Sequence, residues 1–119
     1  MPNSVIAIIP CNDLDASEKF YNKLGFQRNG FDDEYRILFD AWGAQIHLTK
    51  AVADWLVPGR NPFGLYFNAE NVAELAVIFG SKPEDKPWSM YEFAVSDPDG
   101  TLVRIGWPSR LTKKGSNNS

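Results

Sequence analysis

"SDPDGTLVRIGW", residues 96–107, is the stretch on which the reading of this chain turns. Asp-Pro-Asp-Gly is turn chemistry: proline presets φ, aspartate bonds neighbouring backbone, and glycine takes a conformation that a Cβ would strain. The segments on either side, "MYEFAVS" (90–96) and "TLVRIGW" (101–107), read as strands, so the pair forms a hairpin. The same pattern stands earlier in the chain. "DAWGAQIHL" (40–48) shares the Asp, the Gly three residues on and the alternating strand. His47 and Arg104 each follow their glycine by four residues, which gives them equivalent strand positions.

Outward from these two turns the elements repeat. "SVIAIIP" (4–10) is an apolar run of strand length closed by a proline. "NDLDASEKFYNKLGF" (12–26) is a helix capped by Asp13, with Asp15 in its first turn. Its apolar face is Leu14, Phe20, Tyr21 and Leu24, and Gly25 is its stop. "FQRNGF", "YRILFDA" and "AQIHLTK" follow as three strands. After the connection "VPGRNPFG", a strand "LYFN" and a helix "NVAELAVIFG" restart the order, with Asn71 and Glu74 in capping-box spacing and Gly80 as the stop. The spans from Asp13 to Asp40 and from Asn71 to Asp97 differ by a single residue. A duplicated β-α-β-β-β module, residues 4–50 and 63–108, is the simplest account, and the short segment between Gly80 and Trp88 predicts a stunted second strand in the second copy.

With 119 residues, 44% hydrophobic and 23% charged, the chain reads as one α+β domain over residues 1–110 with a disordered tail at 111–119. No apolar run is long enough to span a membrane and no signal-peptide pattern opens the chain, so the expectation is a cytoplasmic protein with no membrane partner. The one cysteine, Cys11, fits a reducing compartment and reads as a small buried hydrophobe. A net charge of −3 without a basic stripe argues against nucleic acid. No Gly-rich phosphate loop, nucleophile elbow or Cys/His cluster is present.

"NDLDASEKFYNKLGF" near the start and "EFAVSDPDGTLVRIGW" near the end, in this module order, resemble the vicinal-oxygen-chelate superfamily. That group includes glyoxalase I, ring-cleaving dioxygenases, fosfomycin-modifying enzymes and bleomycin-resistance proteins. The resemblance implies paired modules whose mixed sheet curves around a cleft completed by a second copy of the chain. It also implies four metal-ligand positions, one on the first and one on the last strand of each module. Here Ile6 takes the first of these, Gln45 or His47 the second, Gly64 or Tyr66 the third and Arg104 the fourth, where the enzymes carry glutamate. A guanidinium repels a divalent ion rather than binding it, so the resemblance implies no metal, no other cofactor and no catalytic residues. A lone histidine such as His47 is more often a satisfied sheet residue than a ligand.

Within the superfamily the chain is most similar to the bleomycin-resistance proteins, which sequester a drug in grooves at a homodimer interface. By that resemblance Trp88 and Tyr35 match an aromatic pair that sandwiches a flat ligand. Asp32, Asp33 and Glu34 beside Tyr35 either favour a cationic ligand tail or form a solvated turn. Phe63, Tyr66, Met90 and Tyr91 either line the groove or pack the sheet, while Asp97 and Asp99 read as turn-formers and Trp107 as core. Arg104 either bonds a ligand carbonyl or carboxylate, or pairs with a buried acid. The function so implied is non-catalytic binding of a flat, cationic, peptide-like natural product of bleomycin type by a homodimer with an exchanged N-terminal strand. The alternatives are a metal-dependent lyase, isomerase or dioxygenase built around Gln45 and His47, and a structural or regulatory dimer without a ligand.

Overall fold

The structure, a computed structural model, describes residues 3–112, with residues 30–32 described by their backbone alone. The chain forms two compact units, one of residues up to Phe63 with Ser96–Thr101, the other of Gly64–Val95 with the chain from Leu102.

The first unit contains β1 (Ala7–Cys11), α1 (Leu14–Lys23), β2 (Gln27–Asp32), β3 (Tyr35–Phe39) and β4 (Gln45–Lys50). Its sheet has the order β1-β4-β3-β2, with β1 parallel to β4 and the other pairs antiparallel. Helix α1 begins where the sequence predicts, with Asp13 Oδ1 accepting from the Ala16 amide at 3.1 Å, and Gly25, at φ +100°, follows its C-terminal end. The period of two in β4 buries Ile46 and Leu48 and turns Gln45, His47 and Thr49 to the other face. Arg36, buried on β3, is held by Asp15 and Glu18 of α1 at 2.9 and 2.8 Å.

The Asp-Pro-Asp-Gly turn packs in this first unit. Asp97 Oδ1 accepts from the amides of Asp99 and Thr101 at 2.8 and 3.0 Å, which is the turn chemistry read from the sequence. Its Oδ2 accepts from the Tyr21 hydroxyl at 2.8 Å, and Asp99 Oδ2 accepts from the Asn12 amide at 3.2 Å and Ser17 Oγ at 3.4 Å. Both aspartates are buried, so the turn is also the clasp on α1. Gly100 is required there: at φ +82° a Cβ would come within 2.5 Å of the Pro58 carbonyl oxygen.

The second unit contains β5 (Gly64–Asn68), α2 (Val72–Ile78), β6 (Glu84–Asp85), β7 (Met90–Ser96, its last residue in the first unit) and β8 (Leu102–Pro108). Its sheet order is β5-β8-β7-β6, with β5 parallel to β8, which repeats the first sheet's topology. The mixed sheet is thus two four-stranded sheets, one for each module. Strand β6 has two residues, the stunted strand predicted from the shortened segment.

Two expectations are corrected. Asn71 does sit at the N-cap of α2 but its side chain makes no cap hydrogen bond, because its backbone (φ −87°, ψ 39°) departs from the extended conformation that Asp13 adopts. Trp107 is only half-buried, unlike its neighbours Ile105 and Val103 in β8. Cys11 is fully buried as expected, and burial pushes its thiol up from 9.0 to about 11. Of the expected tail, Leu111 closes a 3₁₀ turn, Ser109–Leu111, and residues 113–119 lie outside the described residues.

Candidate functional site

The parallel strand pairs fix which side chains stand together. In the first sheet Ile8 of β1 faces His47 of β4; in the second, Tyr66 of β5 faces Arg104 of β8. The register of each pair therefore puts an apolar or phenolic side chain next to each of the two equivalent positions. Ile8 is 59% exposed, Ile6 precedes β1, and neither offers a donor atom to a metal. Among the described residues no three His, Cys, Asp or Glu side chains come together as a metal cluster.

In the first unit the structure joins Tyr35 to His47. The Tyr35 hydroxyl bonds His47 Nδ1, and the two rings meet edge to face with centroids 5.2 Å apart. Gln45 Nε2 lies 2.8 Å from His47 Nε2. His47 is thus occupied on both nitrogens by its own sheet. Asp33 and Glu34 are exposed in the β2–β3 turn, and the Asp32 side chain lies outside the described residues. Phe63 is exposed just before β5, its amide donating to Asn61 Oδ1 at 2.8 Å.

In the second unit the centre is a residue that the sequence reading did not single out. Glu92 of β7 is 3% exposed, and its Oε1 accepts from the Tyr66 hydroxyl at 2.7 Å and from Trp88 Nε1 at 3.0 Å. Its Oε2 lies 3.8 Å from an Arg104 guanidinium nitrogen, an ion pair longer than a hydrogen bond. The Arg104 guanidinium also stands 5.8 Å from the centroid of the Trp88 ring, within cation–π range. Burial, then the bond to Glu92, raises the Tyr66 phenol above its ordinary value, so it stays a donor. Arg104 thus stands opposite a buried acid.

Local sequence explains how these groups meet. Lys86 N donates to Met90 O at 2.8 Å and Ser89 N to Lys86 O at 2.9 Å, with Ser89 at φ +69°, so Trp88 rides a tight turn between β6 and β7. Gly106 of β8 leaves the space through which Tyr66 reaches Glu92, since a Cβ there would collide with the Tyr66 hydroxyl and come within 2.8 Å of Glu92 Cβ. Lys86, Trp88, Glu92, Phe93, Ala94 and Arg104 line a recess of about 130 Å³. Met90 and Tyr91, half-buried in β7, do not line it. The sequence signal that Glu92 left was a charged residue inside an alternating strand, "MYEFAVS".

The arrangement brings together a ring, a cation and a carboxylate. It offers one indole that is 52% exposed, a cation 5.8 Å from its centroid, and a buried carboxylate whose Oε1 is engaged by Tyr66 and Trp88. No described group there is poised as a nucleophile or as an acid-base pair.

Comparison with known proteins follows this geometry. No curated protein matches the chain by sequence. Among solved structures, a bleomycin-binding protein complexed with bleomycin is 22% identical, with a TM-score of 0.76 over 89% of this chain and 98% of its own. A bleomycin resistance determinant encoded on the transposon Tn5 is 22% identical, with a TM-score of 0.77 over 90% of this chain and 98% of its own. The bleomycin-binding protein of bleomycin-producing Streptomyces verticillus, complexed with copper(II)-bleomycin, is 15% identical with a TM-score of 0.71, covering 90% of this chain and 97% of its own. At these identities the likeness is one of fold. The family profile decides membership, because it spans both modules, residues 4–105: this chain belongs to the glyoxalase/bleomycin resistance protein/dioxygenase superfamily.

Proposed function

We propose that this protein binds and sequesters a flat, cationic, peptide-like antibiotic or natural product without transforming it, and that it does so in the cytoplasm as a homodimer. One observation carries the reading. At the strand positions that the resemblance aligns with the enzymes' metal ligands stand Ile6, Gln45 or His47, Gly64 or Tyr66, and Arg104, and the register sets Tyr66 beside Arg104. An apolar side chain, a phenol kept protonated and a permanent cation do not make a divalent site. In the second unit Tyr66 and Arg104 instead share Glu92 with an exposed indole anchored through Nε1.

Trp88 supplies the stacking face of the proposed ligand clamp and Tyr35 its aromatic partner, each ring contact contributing roughly 0.5–1.5 kcal/mol beyond burial. Asp33 and Glu34 supply negative charge for a cationic tail. The second copy of the chain closes the groove, with β1 exchanged so that it lies beside the partner's β4. The three solved relatives named above support a bleomycin-type ligand.

Titrating the protein, stripped of metal, with metal-free bleomycin while following tryptophan emission tests the reading. Saturable quenching at two ligands per dimer, lost in Trp88→Phe, is the expected result. No response to bleomycin, with stoichiometric uptake of a divalent metal, would replace it by the metal-dependent lyase, isomerase or dioxygenase. Sedimentation showing a stable monomer at micromolar concentration would remove the dimer.

A further inference from the structure

The recess on the second unit carries its charge in a particular order, with the anion inside and the cation outside. Glu92 is 3% exposed and spends Oε1 on the Tyr66 hydroxyl and Trp88 Nε1, at 2.7 and 3.0 Å. The Arg104 side chain is 44% exposed, and its nearest carboxylate oxygen, Glu92 Oε2, is 3.8 Å away. Among the described residues no acceptor lies within hydrogen-bond distance of the guanidinium, which leaves its donors available to a ligand. Lys86, also on the recess, meets the exposed Glu84 carboxylate at 3.3 Å. That contact pairs the Lys86 charge with a carboxylate at hydrogen-bond distance, whereas Arg104 has none so close.

The planar guanidinium stands over the Trp88 ring, 5.8 Å from its centroid, and such a fork pairs with two oxygens at once when they lie on one planar edge. A ring laid on Trp88 would bring such an edge to Arg104. We infer that the Trp88–Arg104 recess is a subsite for the carboxylate or carbonyl edge of a flat aromatic group, and that it discriminates against an aromatic cation. Glu92 acts here as a positioning residue that holds Trp88 and Arg104 in place. The inference rests on the binding function proposed above and assigns to one end of that ligand a chemistry opposite to its cationic tail.

Two probes of equal ring size and opposite charge decide it: 2-naphthoate and 2-naphthylmethylammonium, titrated at neutral pH with tryptophan emission and calorimetry as readouts. Naphthoate should bind saturably and roughly ten-fold or more tightly than the ammonium. Arg104→Gln should weaken naphthoate by a similar factor, Arg104→Lys should recover part of it, and Glu92→Gln should weaken it while leaving the circular dichroism of the fold unchanged. Equal binding of the two probes, tighter binding of the ammonium, or no effect of Arg104→Gln would overturn the inference. So would absence of any naphthoate response in protein that still quenches with bleomycin, an outcome that leaves the sequestering function standing. Naphthoate binding in protein that ignores bleomycin would support the subsite and remove the bleomycin-type ligand.

Discussion

Glu92 is a buried carboxylate with two neutral donors and one distant cation, and each partner responds differently to its removal. In Glu92→Leu the Tyr66 hydroxyl and Trp88 Nε1 lose their acceptor, but both residues are partly exposed and water reaches them. The expected cost is about 1–3 kcal/mol, read from the midpoint of urea unfolding at unchanged slope. The tryptophan emission of the folded protein should shift with it, and that shift should vanish in a Trp88→Phe background. Gly106→Ala makes the complementary test. The added methyl occupies the place of the Tyr66 hydroxyl, so Tyr66 swings away from Glu92 and the phenol titrates nearer its ordinary range. An ultraviolet pH titration that shows the same number of late-titrating tyrosines in Gly106→Ala as in the parent would contradict this. Neither residue was legible as part of the site. Glu92 looked like one polar residue in a strand and Gly106 like a gap in another, and only their adjacency gives them meaning.

At the scale of elements, the clasp between α1 and the Asp97–Gly100 turn should outweigh the helix caps. Tyr21→Phe leaves Asp97 Oδ2 buried without its donor, and about 1–3 kcal/mol should be lost. Asp13→Ala removes one exposed cap bond and should cost about 1 kcal/mol. Asn71→Ala removes no side-chain cap bond and should cost less than Asp13→Ala. Thermal or urea unfolding of the three variants gives the order directly, and an Asn71→Ala cost equal to that of Asp13→Ala would show that residue type alone sets the value of a cap. The elements themselves were readable because their signals are local. Asp13 and Gly25 bracket α1, the turn residues at 97–100 sit between two strands, and a shortened spacing foretold a two-residue β6. The cap of α2 failed as a local signal because its geometry depends on how β5 delivers the chain to Asn71.

For the whole molecule, two buried acids set a limit on the alkaline side. Burial pushes the Cys11 thiol from 9.0 to about 11, and burial and Asp97 push the Tyr21 phenol upward as well. Both groups keep their protons in the fold after the unfolded chain has released them. Their contribution is therefore full below pH 9 and declines as pH rises towards and through about 11 for Cys11. About 2 kcal/mol should be lost over that window through Cys11 alone, and Cys11→Ala should flatten the dependence. Iodoacetamide should alkylate Cys11 slowly in the folded protein at pH 8 and readily in urea. The sequence by itself determined the duplicated module, the turns, the cap of α1, the burial of Cys11 and the presence of a cation, Arg104, in the last strand. Only the tertiary structure decided that Arg104 pairs with Glu92, that His47 is taken up by Tyr35 and Gln45, and that Gly106 gives Tyr66 its room. Turns and caps are written within a few residues of one another, whereas a site on a sheet depends on register between distant strands, and a slip of one residue would turn every one of these side chains to the other face.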